Sequence, residues 1–145
     1  MSEALRAALR VHGGLLAALA ERPDPDRDKR SDAPGPPQLA ASGPRTAGHE
    51  AEYELLVEMI AEGSRLHYAA SDVEPDVALL LGDQLYALGL ERLAALGDLE
   101  AVAALGDVIS AVAQAHAEGR PELADAAWAD GAHRVGWGST QARGS

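Results

Sequence analysis

Three histidines set among leucines and valines are the first residues here with chemistry in them. His12, His67 and His116 each fall on an apolar stripe, and three imidazoles converging inside a helical bundle could hold zinc or another transition metal. The commoner role of a single histidine on an apolar face is packing with a satisfied hydrogen bond, and that is the expectation for each. A carboxylate-bridged di-iron centre needs paired Glu-x-x-His elements. Asp130-x-x-His133 has the similar spacing, but it lies close to a chain end expected to fray. Ser64 and His67 stand three apart on a predicted helix, without the sharp turn that presents a nucleophile. Asp24-Pro25-Asp26-Arg27-Asp28 looks like the start of a calcium loop, yet the sixth and twelfth places hold Lys29 and Gly35 instead of Gly and Glu. The sequence has no cysteine, which excludes disulfides and thiolate metal sites. The expectation is no catalytic residue, no metal and no cofactor.

Two further carboxylates merit a reading of their own. Asp72 follows a predicted helix, where a capping or turn role suits an aspartate. Asp83 lies inside a predicted helix with no basic residue three or four places away. It reads as a solvated aspartate or one hydrogen-bonded between helices.

The elements that must position these groups are helices. Ser2 is an N-cap for a first helix over 2–21, with Leu5, Leu9, His12, Leu16 and Leu19 on one face and Gly13-Gly14 as a weak point. Residues 22–47 carry six of the eight prolines, and proline removes donors and disfavours helix in its predecessor, so this stretch is predicted to be an extended, flexible linker. A bundle domain follows over 48–135. Its first helix runs from about Glu50 to Tyr68 with Tyr53, Leu56, Val57, Ile60, Ser64 and His67 on one face. Pro75 opens the next, through Leu85 and Leu93 to Leu96. Gly97-Asp98 joins a helix stop to an N-cap, and Val102, Leu105, Ile109, Val112 and His116 stripe the helix after it. Gly119-Arg120-Pro121 starts a last helix holding Leu123, Ala124 and Trp128, and 136–145 is a frayed tail. No alternating run bounded by turns predicts a strand. The fold class is all-α, a bundle of about five helices.

Composition bounds the function. Hydrophobic residues make up 47% of the chain, but there is no Phe and aromatics are only 3%, so the core is built from small and aliphatic side chains that suit closely approaching helices. A formal net charge of −11 argues against a nucleic-acid partner, because binding phosphates needs clustered Lys and Arg. No apolar run reaches the roughly 18 residues of a membrane span. Charges at Glu3, Arg6 and Arg10 fit no secretory leader. The expected location is cytoplasmic.

Several segments together resemble trans-prenyl diphosphate synthases. Val57-Glu58-Met59-Ile60, Ser64 and Leu66-His67 are similar to the helix that carries that family's first aspartate cluster. There the histidine is followed by Asp-Asp-x-x-Asp, which holds magnesium and an allylic diphosphate. Here the five places read Tyr68-Ala69-Ala70-Ser71-Asp72, so only the last acid is present. Leu81-Gly82-Asp83-Gln84-Leu85 resembles the family's following Gly-Asp-x-Leu helix, and Glu118-Gly119 falls where an Ala-x-Gly-Gln or Glu-Gly-Gln ending occurs. A glycine at Gly82 beside three leucines also predicts close approach of another backbone. The resemblance covers roughly residues 53–119. The loop with paired arginines and the second aspartate cluster have no counterpart here. Prenyl transfer needs both clusters so that magnesium ions can neutralise the leaving diphosphate, and Asp72 alone cannot supply that.

The resemblance therefore implies a half-length scaffold without its metal site. The first expectation is a non-catalytic accessory subunit that acts by association, either as a homo-oligomer or beside a catalytic prenyl synthase subunit, through an Ala- and Leu-rich helix face. The second is a small-molecule or lipid-binding module that uses the inherited cavity, bordered by Tyr53, Tyr68, Tyr86 and Trp128 with His67, Asp72 and Asp83. A metal enzyme using the histidines ranks last.

Overall fold

Helix ends in this chain fall where the sequence supplies caps. The computed structural model describes residues 1–23 and 33–139. Ser2 Oγ accepts the Leu5 N–H at 3.1 Å and starts α1 (Glu3–His12). Glu74 and Asp98 do the same through the Val77 and Ala101 N–H groups, starting α5 (Pro75–Ala95) and α6 (Leu99–Ala117). The others are α2 (Gly14–Ala20), α3 (Pro36–Ala41), α4 (Glu50–Tyr68) and α7 (Glu122–Trp137), with a 3₁₀ turn at Pro44–Thr46. Among the described residues all regular structure is helical, as the all-α expectation required, but there are seven α-helices instead of five.

Two differences account for the extra helices. Gly13 and Gly14 take φ of 84° and 64°, a left-handed conformation that glycine reaches without steric cost, so the single helix expected over 2–21 breaks into α1 and α2. Leu5, Leu9, Leu16 and Leu19 still share one buried surface. His12 does not: the chain turns away at Gly13, leaving this histidine exposed. The second difference corrects the linker. Pro36 and Pro37 occupy the first two positions of α3, where no N–H is needed, and Gln38 Oε1 accepts the Gly35 N–H at 2.9 Å. Pro37, Ala40 and Ala41 are buried, and the fully buried Thr46 donates its hydroxyl to Ala40 O at 2.8 Å. The Asp24–Asp28 run lies outside the described residues.

The four long helices are joined by short turns, with α4 packed most extensively on α5 and α6 on α7, while α3 packs on both α4 and α7. Leu56, Ile60, Leu85, Leu93 and Leu105 are inaccessible or nearly so, each contributing about 1.5–3 kcal/mol by leaving water. Gly82 sits directly beneath the His67 ring and the Gly63 carbonyl, where a Cβ has no room; the close approach expected there is the α4–α5 crossing. The frayed tail is corrected in part. The last helix continues to Trp137 because Gly136 packs its backbone on Gly43 and the Ala40 carbonyl; residues 140–145 lie outside the described set. Among the described residues no helix is long and apolar enough to cross a membrane.

Candidate functional site

The seven residues expected to border a ligand do not converge. Tyr53, near the start of α4, donates its hydroxyl to Asp98 Oδ2 at 2.7 Å. Trp128 packs on the core from α7. Asp72 lies in the turn after α4, paired with Arg22 Nη2 at 2.6 Å; that hydrogen bond holds its carboxyl below its ordinary range. Only His67, Tyr68, Asp83 and Tyr86 come together, where the C-terminal end of α4 meets α5.

His116, a stripe histidine, completes that cluster from α6. Its ring stacks on Tyr68 with centroids 4.1 Å apart and planes at 2°. The His67 ring tilts against Tyr86 at 5.1 Å. His67 Nε2 lies 3.0 Å from Asp83 Oδ1 without the alignment of a hydrogen bond, and the Tyr86 hydroxyl is buried beside Ser64. Burial pushes the Tyr86 phenol up to about 12, with Ser64 opposing. These rings pack together at the α4–α5 crossing and against α6. Among the described residues no three His, Asp or Glu side chains are grouped to hold a metal. His133 instead stacks on Trp137 at 4.9 Å.

A separate concavity lies elsewhere. A cleft of about 900 Å³ lies between the α1–α2 pair, α3, the outer face of α4 and the turn at 70–73. Its apolar walls include Leu19, Pro37 and Val73, and its charged wall is carried by α4, where Glu58 and Glu62 stand one turn apart. Glu58 Oε2 accepts the Ser2 backbone N–H at 2.7 Å, and Oε1 accepts the Ser2 hydroxyl. Glu62, its side chain 10% exposed, is gripped by Arg65 through contacts of 2.5 and 3.1 Å. Arg6 points its Nη1 at the carbonyls that end α2, those of Ala20 at 2.5 Å and Arg22 at 3.2 Å. The Arg22–Asp72 pair closes the rim.

Of the expected site residues only Asp72 lines this cleft. The signal for the rest is the Glu58, Glu62 and Arg65 series on one flank of α4, which is charged although the helix is packed on several sides. It goes unread because the apolar stripe through Tyr53 and Ile60 dominates that helix. A second polar centre was also missed. Arg45 donates to Asp98 Oδ1 and to the Val135 carbonyl, each at 2.7 Å, tying the 3₁₀ turn to α6 and α7. Comparison of the chain with protein-family models, curated proteins and solved structures finds no match.

Proposed function

We propose that this chain is a non-catalytic helical binding module whose cleft holds a small molecule with an apolar body. The cleft itself carries the reading. At about 900 Å³ it lies within the range of small-molecule sites, roughly 300–1,000 Å³, and it joins apolar walls to a few placed charges. Those charges work as caps and ion pairs, a pattern suited to orienting a ligand more than to moving protons. This is the second of the two expectations from sequence, moved from the aromatic residues to the α1–α4 cleft. Extraction of the purified protein with organic solvent, followed by mass spectrometry, tests it. A stoichiometric apolar molecule is expected, and an Ala70→Trp variant, which fills the cleft, should lose it. Equal recovery from both proteins would exclude the cleft.

The accessory-subunit reading stands second, on a separate observation. Leu79 and Leu80 on α5 are 47% and 48% exposed, and Leu99 on α6 is 69% exposed, so the outer faces of these helices offer apolar area to a second copy or to a catalytic prenyl synthase subunit. Recovery of the tagged chain from its native host tests this reading through its stoichiometric partners.

A further inference from the structure

The chain as a whole is strongly acidic, with a net charge of −11, but the charged side chains that line the cleft balance. Arg6, Arg22 and Arg65 stand against Glu58, Glu62 and Asp72. Each is already engaged inside the protein. Arg22 pairs with Asp72, and Arg65 with Glu62. Arg6 faces Glu3 at 3.7 Å and turns its Nη1 to the Ala20 and Arg22 carbonyls. Glu58 accepts the Ser2 N–H and hydroxyl. Met1, which also lines the cleft, has a partner as well. An ionised head entering here either leaves water without gaining a counter-ion or breaks one of these pairs. A neutral hydroxyl or carbonyl loses far less on leaving water. Ser71, on the cleft wall, accepts the Val73 N–H at 2.9 Å and keeps a hydroxyl hydrogen to donate to such a group.

We propose that the cleft is selective for uncharged amphipathic molecules, a fatty alcohol or ester in class, with the apolar body against Leu19, Pro37 and Val73. This rests on the cleft being a ligand site and adds that the ligand carries no ionised head. Discrimination against both signs of charge comes from internal pairing, so removing one partner should unbalance it. The rim pair is the place to do so. Arg22 and Asp72 side chains are 40% and 85% exposed, so either can lose its partner without disturbing the core. Asp72→Asn leaves Arg22 without its carboxylate, and Arg22→Gln leaves Asp72 without its guanidinium.

Isothermal titration of the full chain near neutral pH with octanol, octylamine and octanoate tests the assignment. Octanol should bind about tenfold or more tightly than either ion. Any apolar surface would share that preference, so the two rim variants decide whether pairing in the cleft sets it. Asp72→Asn should strengthen octanoate alone by about threefold or more, and Arg22→Gln octylamine alone by as much; thermal melts confirm that both variants fold. Either ion matching octanol on the parent chain, or either folded variant failing to gain its ion, would overturn the neutral-ligand assignment while the cleft remains a binding site. No binding by any of the three would overturn both.

Discussion

The Tyr53 hydroxyl donates to the Asp98 carboxylate across 2.7 Å, joining the first turns of α4 to the N-cap of α6. The same carboxylate takes Arg45 Nη2 at 2.7 Å and caps the Ala101 N–H at 3.0 Å. One aspartate thus ties the start of α6 to two segments about fifty residues earlier in the chain, the 3₁₀ turn and the start of α4. Its side chain is 10% exposed and that of Arg45 25%, so water screens the cluster only partly.

Removing the carboxylate takes an acceptor from three donors at once, of which Arg45 alone keeps another carboxylate, Glu100 Oε2 at 2.9 Å. Asp98→Ala should cost about 3 kcal/mol of unfolding free energy in urea titrations, and Tyr53→Phe about 1–2 kcal/mol. A Tyr53→Phe variant as stable as the parent would remove the bond from the account.

Acid stability should show the same cluster. Burial alone would raise the Asp98 carboxyl, but hydrogen bonds from Tyr53, Arg45 and the Ala101 N–H outweigh it and hold the group below its ordinary 3.8. A depressed folded-state value contributes stability that is present above the unfolded value and lost as pH falls through the folded one. Stability should therefore decline as pH drops below about 4, and Asp98→Asn should be flatter there. An unchanged acid limb in Asp98→Asn would contradict the assignment.

Alkali probes two phenols in opposite surroundings. Burial, with the neighbouring Asp98 charge, pushes Tyr53 up to about 12, and burial does the same to Tyr86. Raised values mean stability that is complete below the ordinary 10.0 and lost as pH climbs toward about 12. Phenolate absorbance should show both groups titrating late. The two differ in what their hydroxyls touch. Tyr86→Phe removes a hydroxyl whose neighbour is the neutral Ser64 side chain and not an ion, so it should cost no more than about 0.5 kcal/mol, less than Tyr53→Phe. Equal losses from the two changes would contradict this.

Two helical glycines should respond oppositely to alanine. A Cβ at Gly82 runs into His67, whereas at Gly106 it meets nothing within 4 Å. Gly106→Ala should stabilise by about 0.5–1 kcal/mol through backbone entropy. Gly82→Ala should destabilise by about 1–3 kcal/mol from overpacking. The same sign for both would refute the α4–α5 crossing described here.

How far the sequence can be read follows from what each element depends on. The helices α4 to α7 are legible because Pro75, Gly97-Asp98 and Gly119 punctuate them and because buried Leu56, Leu85, Leu105 and Val112 recur at helical spacing. A local pattern suffices there. The α3 segment is not legible in the same way: proline density signals an extended chain, and only the tertiary contacts of Pro37 and Ala40 with their neighbours settle it as helix. The candidate site fails for a related reason. Tyr53 stands near the start of α4 against Asp98, whereas Tyr86 packs at the α4–α5 crossing beside Gly63 and His67, and no spacing within either helix tells the two apart. The cleft depends on where α1 and α2 dock, which the Ser2–Glu58 contact across 56 positions decides; no local spacing encodes that.

The central claim, that the α1–α4 cleft is where this chain binds, is tested most directly by methyl-resolved NMR during titration with octanol. The account predicts shifts concentrated at Leu19 and Val73, which line the cleft, with Leu79, Leu80 and Leu99 unmoved. Shifts centred on those three exposed leucines would contradict it and place the working surface on the outer faces of α5 and α6.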